Sequence, residues 1–201
     1  MDVEQIQELA RQLMIDRKGH LEREPGYIYY HGVRTAIICM KLLDRIGQTS
    51  AIDRDILYAG ALLHDVAKGI EPHAETGAAI VMQSLEGKMP PKAIETVSEL
   101  VRMHNKRGKS SQVDQMLIQD ADLLDHFGSQ NIWLGFLYSA AHDEPGEEFL
   151  EYYRGEKNRM YIEWCRKILN FDVSREALEG KISFEQMFLD RFERELNGEL
   201  D

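Results

Sequence analysis

Seven histidines and 35 acidic side chains are spread along this 201-residue chain, and twice a histidine is followed directly by an aspartate. His64-Asp65 lies in "ALLHDVAKGI" and His142-Asp143 in "YSAAHDEPGE". Imidazole nitrogen and carboxylate oxygen are the donors for a borderline divalent ion such as Mn, Fe, Co, Ni or Zn. At this composition roughly half of such chains carry a His-Asp dipeptide by chance, so surroundings must separate the two copies. His142-Asp143 runs into the polar turn "EPGE" and can be left in water. His64-Asp65 follows an apolar helical run, where an ionised aspartate is costly unless it is paired or coordinates a cation.

Two adjacent residues cannot complete a coordination shell. Further donors stand in "YYHGVRTAII" (His31), "PHAETGAAI" (His73), "VRMHN" (His104) and "IQDADLLD" (Asp120, Asp122 and Asp125). Alone, His31 or His104 on an apolar face reads as a satisfied core histidine, and the three aspartates as a solvated face. On a helical projection Asp120 falls inside the apolar arc and Asp122 at its edge.

The elements that must hold these residues are helices. Ile6, Leu9 and Leu13, then Val33, Ile37, Met40 and Leu43 between "EPGY" and Gly47, recur at helical spacing. Ser50 followed by Asp53 has the form of a capping box for a helix through Ile56, Leu57, Ala61, Leu62 and Leu63. Short helices are expected around Ile80, Val81 and Leu85, and after Pro90-Pro91 around Ile94, Val97 and Val101, a stripe that His104 continues. "VDQMLIQDADLLDHFG", the apolar "IWLGFLYSAA", and segments near 147–169 and 183–196 complete an all-α chain without alternating strands or repeats. The sharpest break, at Pro145-Gly146, divides residues 1–145 from a helical extension, 146–201, packed on the same domain.

A net charge of -11 argues against a nucleic-acid partner, because affinity for a phosphate backbone comes mainly from lysine and arginine. A small anionic substrate is still allowed, since a metal ion and a few lysines outweigh global charge locally. The start has neither a basic nor an apolar signal region, the longest apolar stretch is about half the roughly 20 residues a membrane span needs, and the cysteines Cys39 and Cys165 are far apart. A soluble, cytoplasmic protein is expected; the oligomeric state is open.

The order His31, His64-Asp65, then an aspartate in "DADLLD" resembles the HD superfamily of metal-dependent phosphohydrolases over about residues 25–140. "HGVRTAIICMKLL" is similar to that family's first-histidine helix, "AGALLHDVAKG" to its His-Asp segment with a lysine three residues on, and "DADLLDHFG" to its last-aspartate segment. The resemblance implies an HD-type helical bundle with His31, His64, Asp65 and Asp122 as metal ligands and Asp120 as the alternative or as a carboxylate orienting a ligand. It further implies hydrolysis of a phosphate ester or anhydride, of a nucleotide or related small phosphate compound, by a metal-activated water. Lys68, one helical turn beyond His64, would stabilise phosphoryl charge or complement its helix end.

"HAETG" shares a His-x-x-x-Gly spacing with two-metal cyclic-dinucleotide phosphodiesterases of the superfamily, so His73 and His104 would hold a second ion or contact substrate. The Gly-Tyr-Pro signature of that branch is absent after His104, where "NKRGKS" stands, and Lys106, Arg107 and Lys109 there could meet substrate phosphates. Two alternatives remain: a di-iron oxygenase on the same scaffold, and a non-catalytic nucleotide-sensing module.

Overall fold

The computed structural model describes residues 2–20, 22–47 and 52–200. They form ten α-helices and no strand: α1 (Val3–Met14), α2 (Tyr27–Ile46), α3 (Arg54–Leu63), α4 (His73–Leu85), α5 (Pro91–Met103), α6 (Val113–Asp125), α7 (Ser129–Ala141), α8 (Gly146–Arg154), α9 (Glu156–Ile168) and α10 (Asp172–Leu196). They divide into two compact units, Met1–Asp125 and His126–Asp201. The expected junction at Pro145-Gly146 falls inside the second unit, because α7 packs against α8 and α10 rather than ending the first.

The first unit is organised around α3, in which every residue from Leu57 to Leu63 is buried. Asp53 caps this helix, its Oδ1 accepting from Asp55 N at 3.0 Å and Ile56 N at 3.2 Å. Ser50, the expected cap, lies outside the described residues. Glycines let both neighbours of α3 approach closely. A Cβ on Gly32 of α2 would stand 2.3 Å from the Leu62 carbonyl oxygen, and one on Gly60 would stand 2.7 Å from Leu100 Cδ1 of α5. α4 packs on α5, α1 on α2 and α3, and α6 touches α2, α3 and α5. Residues 117–125 of α6 are all buried, so this helix lacks a solvated face.

α2 forms where its periodicity places it, but with a different face inward. Ile28, His31, Gly32, Thr35, Ala36 and Cys39 are buried, while Ile37 is 44 % exposed. The close contact at Gly32 turns Ile28, Thr35, Ala36 and Cys39 inward with it, and Leu43 of the expected positions is buried as well.

In the second unit, Ile132, Phe149, Leu150, Tyr153 and Leu189 form a core flanked by Phe136, Phe188 and Phe192. The segment expected at 147–169 is two helices, because the backbone is extended at Gly155, with ψ at 162°. The segment expected at 183–196 is the C-terminal half of α10, whose first half has Gly180 within it, a weak helix former.

Candidate metal centre

Six side chains meet inside the first unit, delivered by helix ends and buried faces. α2 contributes His31 and α6 contributes Asp122. His64 is the C-cap of α3, followed by Asp65; His73 opens α4; His104 is the C-cap of α5. His31, His64 and His104 are each at most 1 % exposed, Asp65 4 % and Asp122 8 %.

The four histidines share one hydrogen-bonding logic. A helix C-terminus leaves carbonyls without intrahelical donors. His64 Nδ1 donates to the Ala61 carbonyl at 2.8 Å and His104 Nδ1 to the Val101 carbonyl at 2.6 Å, so each cap residue satisfies its own helix end. His31 Nδ1 bonds Asp125 Oδ2 at 2.7 Å, and His73 Nδ1 faces Glu71 Oε1 at 3.1 Å. A neutral imidazole whose Nδ1 carries the proton offers a lone pair at Nε2. All four Nε2 atoms point towards Asp65.

Two clusters result, one on each oxygen of that carboxylate. Around Oδ2, His31 Nε2 lies 3.8 Å and His64 Nε2 3.7 Å away. The two nitrogens are 3.1 Å apart, and Asp122 Oδ1 is 3.2 Å and 3.6 Å from them. Around Oδ1, His104 Nε2 lies 3.4 Å and His73 Nε2 3.8 Å away, and neither nitrogen has a hydrogen-bond partner although both are buried. Donors of a tetrahedral shell with bonds of about 2.1 Å sit about 3.4 Å apart. Lone pairs and carboxylate oxygens this close repel unless a cation lies among them, so the donor set fits a divalent ion at His31, His64, Asp65 and Asp122. Asp65, His73 and His104 supply three donors for another.

The electrostatics agree. Burial would favour neutral His31, but its hydrogen bonds to Asp122 and Asp125 outweigh burial and raise its pKa to about 9. Positive charge is favoured where the donors converge. Burial would likewise raise the Asp65 pKa, yet His64, the contact with His104 and Lys68 hold that carboxyl well below its usual range. Burial lowers the His104 pKa, keeping its imidazole neutral.

Around these donors lie residues that hold them in place. Asp125 orients His31 and is gripped by Arg34, whose Nε and Nη2 donate to its two oxygens at 2.8 and 3.0 Å. Against the effect of burial, His31 and Arg34 lower the Asp125 pKa to about 2. Arg107 Nη2 donates to Asp122 Oδ2 at 2.6 Å. Arg17 donates through Nη1 to the Val66 carbonyl and through Nη2 to the Lys68 carbonyl, pinning the turn after His64-Asp65.

Several sequence expectations change here. Asp120 is 1 % exposed, as its place in the apolar arc suggested, but belongs to neither cluster; Asp122 faces the histidines. Asp125, which had been given no such part, orients His31. It stands three residues after Asp122 on the same helix face, a spacing visible in "DADLLD". Lys68 is not a turn along the helix from His64, because α3 ends at Leu63. The turn bonds Val66 N to Leu63 O and Lys68 N to Asp65 O carry it back instead, placing Nζ 3.1 Å from Asp65 Oδ2. In the "NKRGK" loop, Arg107 is committed to Asp122 and Lys106 to Glu75 at 3.2 Å, which leaves Lys109 exposed.

Residues 28–126 match the HD domain family. No match was found among curated proteins. Among solved structures, the fold is similar to an HD-superfamily hydrolase from Bacillus thuringiensis (21% identity, TM-score 0.70, covering 96% of each chain). It is also similar to a predicted HD superfamily hydrolase from an uncultured Thermotogales bacterium (21%, TM-score 0.66, 96% of this chain and 92% of that one). A third is Bacillus subtilis YpgQ in complex with ADP (17%, TM-score 0.66, 96% and 98%). At these identities the likeness is one of fold. No helix among the described residues is long and apolar enough to cross a membrane. With the fold, the family match and the two histidine clusters joined at Asp65 in hand, residues 28–126 are an HD domain.

Proposed function

We propose that this chain is a metal-dependent phosphohydrolase that cleaves a phosphate ester or anhydride of a nucleotide or related small phosphate compound. The observation carrying this reading is the convergence of four imidazole Nε2 atoms on the carboxylates of Asp65 and Asp122. His31, His64, Asp65 and Asp122 would hold a divalent transition ion, Mn, Fe, Co, Ni or Zn; His73 and His104 would hold a second or contact substrate. An ion there supplies Lewis acidity towards a phosphoryl oxygen and towards water.

The protein's own groups do the rest. Asp125, gripped by Arg34, fixes the tautomer and direction of His31, and Arg107 fixes Asp122. Asp65 stays ionised at neutral pH and presents one oxygen to each histidine cluster. Lys68 is part exposed beside Asp65 and can turn its ammonium to a phosphoryl oxygen as charge builds there. In the overall reaction the water oxygen bonds to phosphorus, the phosphorus–oxygen bond to the leaving group breaks, and the leaving oxygen gains a proton.

A nucleotide is favoured by one neighbour of similar fold that was solved with ADP bound. A cytoplasmic setting accords with a pair of cysteines, Cys39 and Cys165, that are buried on helices far apart in the sequence. The two-sided environment of Asp65 keeps the di-iron oxygenase reading testable, by oxygen uptake with ferrous iron. The main test is elemental analysis paired with phosphate release from nucleotides and sugar phosphates under several added metals. Asp65→Ala is expected to lose both the metal and at least about a thousandfold of the activity. Activity surviving in a fully metal-loaded variant would overturn the assignment.

A further inference from the structure

The connection between α1 and α2, residues 15–26, was silent in the sequence because it has no period. In the fold it touches the metal cluster's surroundings at two points. Arg17 pins the turn that carries Asp65 and Lys68, and a Cβ on Gly19 would stand 3.3 Å from Lys68 Cγ. Six residues after Arg17, the Arg23 guanidinium lies over the Tyr27 ring, 5.1 Å from its centroid. Tyr27 in turn stacks on His31, with centroids 5.6 Å apart and planes within 2°. Arg23 is therefore one aromatic ring removed from a candidate metal ligand.

Arg23 stands apart from the other arginines near the site. Arg17, Arg34 and Arg107 are all spent on protein acceptors. Arg23 has no carboxylate or carbonyl partner for its side chain among the described residues, in a chain with 35 acidic residues, and its Nε is buried without a hydrogen bond. The Tyr27 hydroxyl beneath it is also buried without a partner, on a residue 4 % exposed. Buried donors left without acceptors are destabilising, more so for a charged group. A planar fork of donors, held over an aromatic ring and lacking an anion, is complementary to a phosphate.

We propose that Arg23 and Tyr27 form a second phosphate subsite, which binds a phosphate group of the substrate other than the one being hydrolysed. The inference rests on the phosphohydrolase reading and narrows it to substrates with at least two phosphate groups, such as a nucleoside diphosphate or triphosphate. The reacting phosphoryl group sits at the histidine clusters and Lys68, and the Arg23 fork takes another phosphate of the same substrate.

The test compares kcat/KM for a nucleoside monophosphate and for the corresponding diphosphate and triphosphate, with inorganic pyrophosphate as a competitive inhibitor. In Arg23→Ala the preference for the substrates with more phosphate groups is expected to fall about tenfold, carried in KM, and the pyrophosphate inhibition constant to rise alike. Arg23→Lys retains the charge and the stem on Tyr27 but not the fork, and is expected to recover only part of the loss. Tyr27→Phe, which keeps the stacking, is expected to lose a smaller part. An unchanged preference in Arg23→Ala, with metal content at the wild-type level, would overturn the subsite and leave the phosphohydrolase reading standing. Absence of phosphate release by the wild type from every substrate would instead overturn that reading.

Discussion

His64-Asp65 and His142-Asp143 are the same two residues in the same order, and the structure gives them opposite surroundings. His64 closes α3 after the buried run from Leu57 to Leu63, is fully buried, and has its Nε2 3.1 Å from that of His31. His142 is exposed at the end of α7, its Nδ1 bonded to the Tyr138 carbonyl at 2.9 Å and its ring stacked on Tyr138. Both histidines cap helices and both use Nδ1 on a carbonyl of their own helix. The difference lies in what surrounds Nε2 and the aspartate. Asp65 collects four histidines and a lysine, whereas Asp143 occupies a left-handed turn with φ at 57°, a conformation that aspartate tolerates better than most side chains. A dipeptide becomes a site through the helices that converge on it.

The comparison sharpens if the convergence can be dismantled without touching either pair. Asp125→Ala leaves every proposed ligand in place but frees His31 and Arg34. Metal affinity, measured by competition with a chelator, is expected to fall about 10- to 100-fold, with a matching loss of phosphate release at limiting metal. Unchanged affinity would mean that His31 is held by packing alone.

A smaller effect separates the pairs by stability. Adding an ion at about a thousand times its dissociation constant stabilises the folded state by about 4 kcal/mol. Chelation is therefore expected to lower the thermal midpoint by roughly 10 °C in the wild type and in His142→Ala, but hardly in His64→Ala. Equal shifts in all three proteins would break the comparison.

The smallest effect is at the other pair. Asp143→Gly removes a side chain from a left-handed backbone and is expected to stabilise by no more than about 1 kcal/mol, without changing metal content. A loss of metal in that variant would show that the second pair also belongs to a site.

Much of this was legible in the residue pattern because helices advertise themselves through long apolar periods. The helices from α3 to α7 stand where Leu57, Val81, Val97 and the "DADLLD" run place them, and the ordered donors His31, His64, Asp65, His73, His104 and Asp122 meet in space. The buried face of α2 was legible only in part: Leu43 is buried as expected, but the close approach of Gly32 to the Leu62 carbonyl leaves Ile37 outward. The break at Gly155 and the early start of α10 were masked because glycine reads alike inside a helix and at its end. Asp125 was hidden among three aspartates on a helix buried all round, where hydropathy cannot rank them. Arg17 and Arg23 lie in a segment with no period at all, and only the fold reveals that one pins the turn after His64-Asp65 and the other covers Tyr27.

The most direct measurement is metal stoichiometry, by elemental analysis, of the wild type, Asp65→Ala and Asp143→Ala purified side by side with added divalent ions. The wild type and Asp143→Ala are expected to hold one or two ions per chain and Asp65→Ala almost none. Equal metal in all three, or none in the wild type under every ion tried, would contradict the assignment of the buried pair as a metal centre.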